Sequence, residues 1–302
     1  MAEAEAPLLQ VTNVGYRYGS LNALVDVTFE VEGSEGELVA LVGRNGAGKS
    51  TLLKCIAGWT RPTDGEVLLM GERIDRNERF ARKYIVLVPD TPPFYDELTA
   101  WEHLQFNAQA HRLDDWEERA EDLLDRYGLL SNKDAFPFTF SRGMRYKLAL
   151  CMALLVSPKI LLLDEPLGPL DPVSADELWI ELNRHRSEGM TILLSSHQLP
   201  PAAYPDRYFI MEQGEVIAHG TPDQMRKNLG VLNDLTLDNL LRAAILARRG
   251  RDAQLEADEE YDEDAEEAEA AADEVAEPTP APTPRSKPDN RSKYAPKPRR
   301  KR

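Results

Sequence analysis

The sequence predicts an α/β protein with a parallel β-sheet at its core, and three observations support this fold class. Residues 160–163 and 191–194 are almost entirely apolar, as expected of parallel strands that are covered on both faces. The apolar run 38–42 passes directly into a glycine-rich loop and then into a helical pattern. Residues from about 92 to 140 carry helical patterns only, which indicates a helical insertion between the strands.

Apolar and alternating stretches place the strands in order along the chain. The fourth predicted strand is closed by Pro89, and the predicted hairpin turns near Gln213 and Gly214. The pattern predicts strands over 9–18, 24–31, 38–42, 84–88, 160–163 and 191–194, and a hairpin over 208–218.

Capping residues set the expected boundaries of the helices. Thr99 and Glu102 have the spacing of a capping box, which opens the first helix of the insertion. Either Asp114 or Asp115 caps the next helix, and Gly128 ends it. Further helices are predicted over 144–155, from residue 172 onward, and over 237–245.

Charge and cysteine content exclude several classes of function. Lys and Arg total 36 against 52 Asp and Glu, a net charge of −16, so no specific nucleic acid is expected as a partner of the folded part. Cys55 and Cys151 lie in apolar helical patterns without metal-ligand spacing, so we predict core residues in a reducing compartment. No apolar stretch reaches about 18 residues, and the acidic N terminus does not resemble a secretory signal. We therefore expect a cytoplasmic protein, or one held at a membrane by a partner.

The composition changes sharply near Gly250. Residues 253–302 contain two members of the Leu, Ile, Val and Phe set, and 14 acidic residues but no basic ones lie between Asp252 and Glu277. Pro-rich and basic residues follow. Such a segment cannot bury enough apolar surface to offset its ordering entropy. We predict a disordered, acidic-then-basic tail over 251–302, whose partner the sequence does not identify.

The segment from Gly43 to Thr51 fits the pattern GxxxxGK[ST], between a predicted strand and a predicted helix. Its glycines let backbone N–H groups converge on a phosphate, and the start of the helix adds its positive end. Lys49 supplies a charge for the outer phosphates, and the Ser50 hydroxyl can ligate Mg²⁺. We therefore predict a P-loop that binds a nucleoside triphosphate through Gly43, Asn45, Gly46, Gly48, Lys49, Ser50 and Thr51.

Two adjacent carboxylates, Asp164 and Glu165, end the predicted strand 160–163. Asp164 can hold Mg²⁺ through water, and Glu165 can act on a second water. Hydrolysis of a nucleoside triphosphate needs a water positioned in line with the γ-phosphate. This carboxylate pair therefore predicts a hydrolase in which Glu165 is catalytic.

Across residues 8–232, these motifs together resemble the ATP-binding subunits of ABC transporters. Residues 141–145, Ser-Arg-Gly-Met-Arg, look like a divergent form of the family signature LSGGQ, with the serine and the central glycine kept. The resemblance implies the ABC ATPase fold of the P-loop NTPases, with an N-terminal antiparallel β subdomain. It also implies an ATPase domain over 1–232, a helical subdomain over about 92–157, and a C-terminal helix over 233–250.

The family pattern assigns roles to further residues. Ser141 and Gly143 would contact ATP held by the opposite subunit, which implies a head-to-tail dimer. Asp171 lies in a Leu-Asp-Pro segment that matches the D-loop, and His197 matches the switch histidine, which would help to orient the attacking water. The remaining histidines are predicted to be surface or packing residues without partners; they are His103, His111, His185 and His219.

Two further positions bear on the nucleotide. Tyr18 directly precedes Gly19 and matches the aromatic residue that stacks on adenine, with Tyr16 as the alternative. Asp90 stands where the family usually carries glutamine. An aspartate there can ligate Mg²⁺ directly or through a water, and its charge should weaken nucleotide binding unless the metal is present.

The resemblance implies an ATPase with ATP and Mg²⁺ as cofactors, which powers transport through a separate transmembrane permease. Such a subunit is peripheral on the cytoplasmic face of the membrane and works with a second ATP-binding subunit, identical or different. The aspartate at position 90 and the Ser-Arg-Gly-Met signature resemble bacterial export-type members. The coupling surface for the permease is expected over about 91–100, where Pro92, Pro93, Phe94 and Tyr95 offer apolar contacts.

Two other functions fit the sequence. One is a soluble ABC-type ATPase that acts on a ribosome, a nucleic acid or a protein assembly. The other is an adaptor that works through the tail, with ATP binding as regulation.

Overall fold

A computed structural model describes residues 6–33, 35–197, 199, 205–230, 236–237 and 239–250. The predicted tail, 251–302, lies outside the described residues, and so do 233–235 and 238 of the predicted C-terminal helix. Residues 237 and 239–250 are helical.

The described elements begin with three strands, and helices and strands then follow singly or in short groups. The elements are β1 (Leu9–Tyr18), β2 (Leu21–Val31), β3 (Leu38–Gly43), α1 (Lys49–Ile56), β4 (Asp64–Leu69), β5 (Glu72–Arg73), α2 (Glu78–Tyr84), β6 (Ile85–Val88), α3 (Ala100–His111), α4 (Trp116–Arg126), α5 (Arg142–Leu155), β7 (Ile160–Asp164), α6 (Pro172–Ser187), β8 (Thr191–Ser196), β9 (Arg207–Glu212), β10 (Glu215–Gly220) and α7 (Pro222–Leu229).

The central sheet has six strands in the order β10-β9-β3-β8-β7-β6. All neighbours pair in parallel except β9 and β10, which form the predicted hairpin. The parallel core predicted from the sequence is therefore confirmed. The hairpin is part of this sheet, because β9 also pairs with β3.

The N-terminal strands form a separate antiparallel sheet in the order β2-β1-β4-β5. This confirms the antiparallel β subdomain. The sequence analysis did not predict β4, β5, α2 or α7, which are all eight residues or shorter. Such short elements show little periodicity, so their formation depends on packing against the rest of the fold.

Alternate residues of the central strands feed two hydrophobic clusters, one on each face of the sheet. Leu38, Ala40 and Val42 of β3 face the cluster that includes residues of α3 to α6. Val39 and Leu41 face the cluster that contains α1 and the antiparallel sheet. Because both faces are covered, the C-terminal ends of the strands remain the open edge at which side chains can meet a ligand.

Helix ends match the predicted caps in most places. The capping box at Thr99 and Glu102 opens α3, and Gly128, with φ 69°, follows the end of α4. Asp115 occupies the N-cap position of α4, but its side chain makes no capping hydrogen bond. Both cysteines are free and buried as predicted, and burial raises the pKa of Cys55 to about 12. No helix of the described part of the chain is long and apolar enough to cross a membrane.

Candidate functional site

The loop between β3 and α1 has the backbone geometry that its glycines permit. Gly46 and Gly48 have φ values of 83° and 103°, which side-chain-bearing residues rarely adopt. A Cβ atom at Gly48 would lie 2.5 Å from the Ala23 carbonyl oxygen, and one at Gly43 would lie 2.4 Å from the Met211 carbonyl oxygen. Glycine is therefore required at these positions because neighbouring strands approach the loop closely.

The loop is also braced from outside. The Gly214 N–H donates to the Ala47 carbonyl at 3.0 Å, and the Val25 N–H donates to the Gly214 carbonyl at 2.9 Å. The turn between β9 and β10 thus connects the loop to β2. Asn45 lies exposed in the loop, whereas Thr51 is buried in the first turn of α1.

Lys49 is buried, with 5 % of its side chain exposed, and starts α1. Its Nζ donates to the carbonyl oxygens of Gly43 at 2.8 Å and Arg44 at 3.3 Å. The same Nζ lies 3.2 Å from Oε1 of Glu165. The cation is therefore held inside the loop, beside the carboxylate pair, where a phosphate would be bound.

Ser50 and Asp164 meet across the loop and the end of β7. The Ser50 Oγ donates to Asp164 Oδ1 at 2.9 Å, and Asp164 is buried. Both atoms are oxygen donors of the kind that Mg²⁺ prefers, and two ligands at adjacent corners of an octahedron with 2.1 Å bonds lie roughly 3.0 Å apart. The pair fits Mg²⁺. The described residues include no cluster of three or more His, Cys, Asp or Glu that could hold a metal, so phosphate and water oxygens would have to complete the shell.

Glu165 is held from two sides in an unusual conformation. Its φ of 47° is positive, which is uncommon for a residue with a side chain. Its N–H donates to Ser195 Oγ at 2.9 Å, and its Oε2 lies 2.8 Å from Nδ1 of His197 and 3.4 Å from the His197 N–H. Several hydrogen bonds therefore maintain a backbone geometry that would otherwise be costly.

Ser195 connects the two carboxylates, a role that the sequence analysis missed. Its hydroxyl donates to Asp164 Oδ1 at 2.7 Å while accepting from the Glu165 N–H, and it is fully buried. The register of the sheet explains the contact, because Asp164 on β7 pairs with Ser195 on β8. The available signal in the sequence was a serine hydroxyl directly after the predicted strand 191–194, in the same position as Asp164 after the predicted strand 160–163.

Ion pairs and hydrogen bonds thus join five predicted site residues and Ser195 into one network, in which Lys49, Asp164 and Ser195 are buried and His197 is exposed. The network comprises Lys49, Ser50, Asp164, Glu165, Ser195 and His197. Tyr18 lies at the end of β1 with 49 % of its surface exposed, and its ring packs edge-on against Tyr16 at 4.8 Å. Tyr16 itself packs against the hydrophobic core, so Tyr18 is the more exposed ring of the two, and its stacking on adenine stays a prediction.

The predicted signature and D-loop residues cap their own helices. Ser141 is the N-cap of α5, and its Oγ accepts from the Met144 N–H at 3.2 Å. Asp171 is the N-cap of α6 and accepts from the N–H groups of Val173 and Ser174 at 3.1 Å each. Hydrogen bonds from Ser174, together with that from Val173, lower the pKa of the Asp171 carboxyl.

Gly143 is pressed against the segment that carries the D-loop, since a Cβ there would lie 3.1 Å from the Pro169 carbonyl. Asp90 lies outside the network of the carboxylate pair. Its Oδ1 accepts a hydrogen bond from Arg142 Nη2 at 2.6 Å, and its Oδ2 lies 3.4 Å from the Thr91 hydroxyl. The assignment of Asp90 as a metal ligand stays a prediction.

The expectation that the remaining histidines lack partners was wrong for His103 and His185. His103 is buried and has two partners, since its Nε2 accepts from the Tyr95 N–H at 2.9 Å and its Nδ1 lies 2.8 Å from the Thr99 carbonyl. The prediction that it lacks partners was wrong, because sequence alone does not show that the chain folds back from residue 95 to α3. His185 also has a partner, Glu188, at 3.2 Å.

The sequence is similar to a known protein family and to several of its members. The family model described as ABC transporter matches residues 24–168. The chain is 34 % identical over 236 residues to the ABC-type transporter ATP-binding protein EcsA of Bacillus subtilis, which covers 77 % of the chain and 94 % of that protein. It is 33 % identical over 264 residues to the energy-coupling factor transporter ATP-binding protein EcfA of Methanothermobacter thermautotrophicus, covering 83 % and 82 %.

Solved structures with a similar fold are also ATP-binding subunits or cassettes. The ATP-binding subunit of an ABC transporter superposes with a TM-score of 0.73 at 37 % identity, covering 79 % of this chain and 99 % of that one. A dimeric ATP-binding cassette in a post-hydrolysis state, bound to ADP and Pi, superposes with a TM-score of 0.63 at 25 % identity, covering 70 % and 98 %.

Proposed function

The chain belongs to the ABC transporter ATP-binding proteins, which are ATPases, and from this premise we propose that it powers a separate transmembrane permease of the export type. The observation that carries the ATPase part is the network around the carboxylate pair, Asp164 and Glu165, since it places a held cation, an oxygen pair for Mg²⁺ and a second carboxylate side by side.

In this proposal Glu165 positions the attacking water and receives its proton, because its Oε2 is the carboxylate oxygen paired with His197 at the open edge of the sheet. Lys49 leaves its backbone acceptors and pairs with the outer phosphates. Asp164 and Ser50 would hold Mg²⁺, which would neutralise charge on the phosphates. His197 orients Glu165 and the γ-phosphate, and Tyr18 stacks on the adenine.

Two copies would share their nucleotides. Ser141, Gly143 and Asp171 lie at exposed or half-exposed helix starts, and within the described part of the chain they make local caps and close backbone contacts. In the proposed dimer, Ser141 and Gly143 contact the ATP that a second ATP-binding subunit holds. Asp171, in the D-loop, contacts that second subunit. The dimeric cassette among the structural neighbours, which has this fold, supports the assignment.

A groove beside Asp90 supports the permease part of the proposal. A cavity of about 180 Å³ is lined by apolar residues that include Pro92, Pro93, Phe94 and Trp59. Trp59 is 57 % exposed, and so is Tyr95. Exposed aromatic residues beside an apolar groove are typical of a surface that is covered by a partner. A permease segment in this groove would hold the subunit at the cytoplasmic face of the membrane.

The experiment tests the surface without touching the nucleotide site. Trp59→Ala and Tyr95→Ala are introduced together, and Ile180→Ala, an exposed apolar residue on α6, serves as the control. ATP hydrolysis is measured on each purified chain, and association is measured by co-sedimentation with membrane vesicles prepared from the native host. We expect all chains to hydrolyse ATP, and only the double variant to lose membrane association.

Two results would contradict the proposal. Equal membrane association of the double variant and the control would place the permease elsewhere. Co-sedimentation of the unmodified chain with ribosomes or nucleic acid, and not with membranes, would favour the soluble ATPase that the sequence left open.

A further inference from the structure

Two departures of this chain from the family motifs touch each other. Asp90 stands where the family usually carries glutamine, and Arg142 takes the place of the first glycine of LSGGQ. The two side chains are 52 residues apart in sequence, yet Arg142 Nη2 donates to Asp90 Oδ1 at 2.6 Å. Asp90 adds a negative charge and Arg142 adds a positive one, so the two departures together leave the net charge unchanged.

The ion pair connects two functional segments. Asp90 lies two residues beyond β6, at the open edge of the central sheet, and Arg142 is the first residue of α5. Ser141 and Gly143 flank Arg142 on either side. A contact at Arg142 therefore fixes the start of α5, and with it the two signature residues, relative to the loop that continues into the apolar groove.

The charge of Asp90 acts on the same region as the carboxylate pair. Burial raises the pKa of Tyr146, and the nearby charges of Asp164, Asp90 and Glu165 raise it further. Tyr146 lies one turn beyond Arg142 on α5 and is fully buried. A third carboxylate near the first two would oppose a triphosphate, and the guanidinium of Arg142 offsets that charge.

Exposure of the pair argues against a purely structural role. The side chains of Arg142 and Asp90 are 57 % and 40 % exposed, and ion pairs in such positions contribute about 0–1 kcal/mol to stability. The short distance and the charged donor still fix the direction of the bond. Such a pair positions its neighbours without contributing much to the free energy of folding.

We propose that Arg142 is a positioning residue for the shared ATP site, and that its ion pair with Asp90 holds Ser141 and Gly143 in the arrangement that the partner's ATP requires. This inference rests on the proposed use of those two residues in a dimer. It assigns the carboxylate of Asp90 to Arg142 and not to Mg²⁺.

A charge swap tests the pairing. Asp90→Arg, Arg142→Asp and the double variant are made in a chain that also carries Glu165→Gln, which should retain ATP in a dimer. ATP-induced dimerisation is measured by light scattering, and ATP affinity of the monomer by fluorescence. Each single change places two like charges together in both copies of the dimer. We therefore expect it to weaken dimerisation by about tenfold or more, with monomer affinity changed less, and the double variant to return to within about threefold.

Controls separate the pairing from general charge effects. Glu78 and Arg82 form an exposed ion pair of the same 2.6 Å length on α2, and swapping these two charges should change nothing. Arg142→Lys keeps the charge and should retain most of the dimerisation. Thermal unfolding of every variant checks that the fold is intact.

A double variant no better than the worse single one would overturn the pairing. An increased Mg²⁺ requirement in Asp90→Asn but not in Arg142→Gln would assign the carboxylate to the metal instead, and would overturn it as well. If the parent chain with Glu165→Gln did not dimerise in ATP, the shared-site dimer would be wrong. The swap would then be read from kcat in the chain with Glu165 intact, where recovery in the double variant supports the pairing and its absence refutes it.

Discussion

Ser195→Ala should disturb both carboxylates of the candidate site through one buried hydroxyl. The substitution removes the hydrogen bond to Asp164 Oδ1 at 2.7 Å and the acceptor of the Glu165 N–H at 2.9 Å. It adds no bulk and leaves Lys49 and His197 in place. The effect therefore reports on the geometry of the carboxylate pair and not on a change of charge.

The structure sets the size of the effect. A hydrogen bond to a charged group contributes about 1.5–3 kcal/mol, and a neutral one about 1 kcal/mol. Because Ser195 is fully buried, water cannot replace either bond. We expect a loss of roughly 2.5–4 kcal/mol in the free energy of unfolding, which corresponds to a fall in Tm of about 5–16 °C in a domain of this size. Loss of a residue that orients a metal ligand typically costs about 10–100-fold in activity.

The assay compares Ser195→Ala with Thr191→Val on the same strand. Thr191 is also fully buried, but its hydroxyl has no hydrogen-bond partner in the described part of the chain, so its removal should be close to neutral. Tm is measured by circular dichroism, and kcat by phosphate release at saturating ATP and Mg²⁺. An equal effect of both variants on kcat, or an unchanged kcat in Ser195→Ala, would refute the positioning role.

Three further predictions concern the site and the tail. Glu165→Gln should retain ATP binding but lower turnover by about 100-fold or more, the loss expected for a general base, and near-normal turnover would remove Glu165 from this role. Lys49→Ala should abolish measurable ATP binding in calorimetry while the circular dichroism spectrum persists, because a buried cation beside the phosphates is lost; wild-type affinity in the folded variant would contradict this. Deletion of 252–302 should leave a chain that hydrolyses ATP, since that segment contains only two members of the Leu, Ile, Val and Phe set; a folded but inactive product would show that the ATPase domain extends beyond residue 251.

The parts of the fold that could be predicted from the sequence are those with a local physical signature. Buried parallel strands such as 160–163 are continuously apolar, and the capping box at Thr99 has a fixed spacing. The phosphate-binding loop combines both kinds of sign, because its glycines, strand and helix stand in a required order. These features do not depend on which distant segments pack together.

The parts that could not be predicted depend on pairing between distant segments. Ser195 reaches Asp164 only because β7 and β8 are neighbours in register, and Arg142 reaches Asp90 only because α5 begins beside the end of β6. His103 has partners because the chain turns back at Tyr95. The spacing of residues along the sequence does not give these distances. The partners of Ser195, Arg142 and His103 could therefore not be predicted from the pattern around each residue.

The buried imidazole of His103 has a consequence for how the groove would meet a partner. Tyr95 presents an exposed ring, yet its backbone N–H is bound to His103 Nε2, and this bond requires the proton of the ring to be on Nδ1, facing the Thr99 carbonyl. The backbone of Tyr95 is therefore attached to the first turn of α3 through the imidazole of His103, which is itself held by the Thr99 carbonyl at the start of that helix. A surface that is already ordered loses little conformational entropy when it is covered, so more of the contact energy remains available for affinity. Because Tyr95 is hydrogen-bonded to α3, a partner that displaces the Tyr95 ring would displace α3 with it, and the loop would bend little.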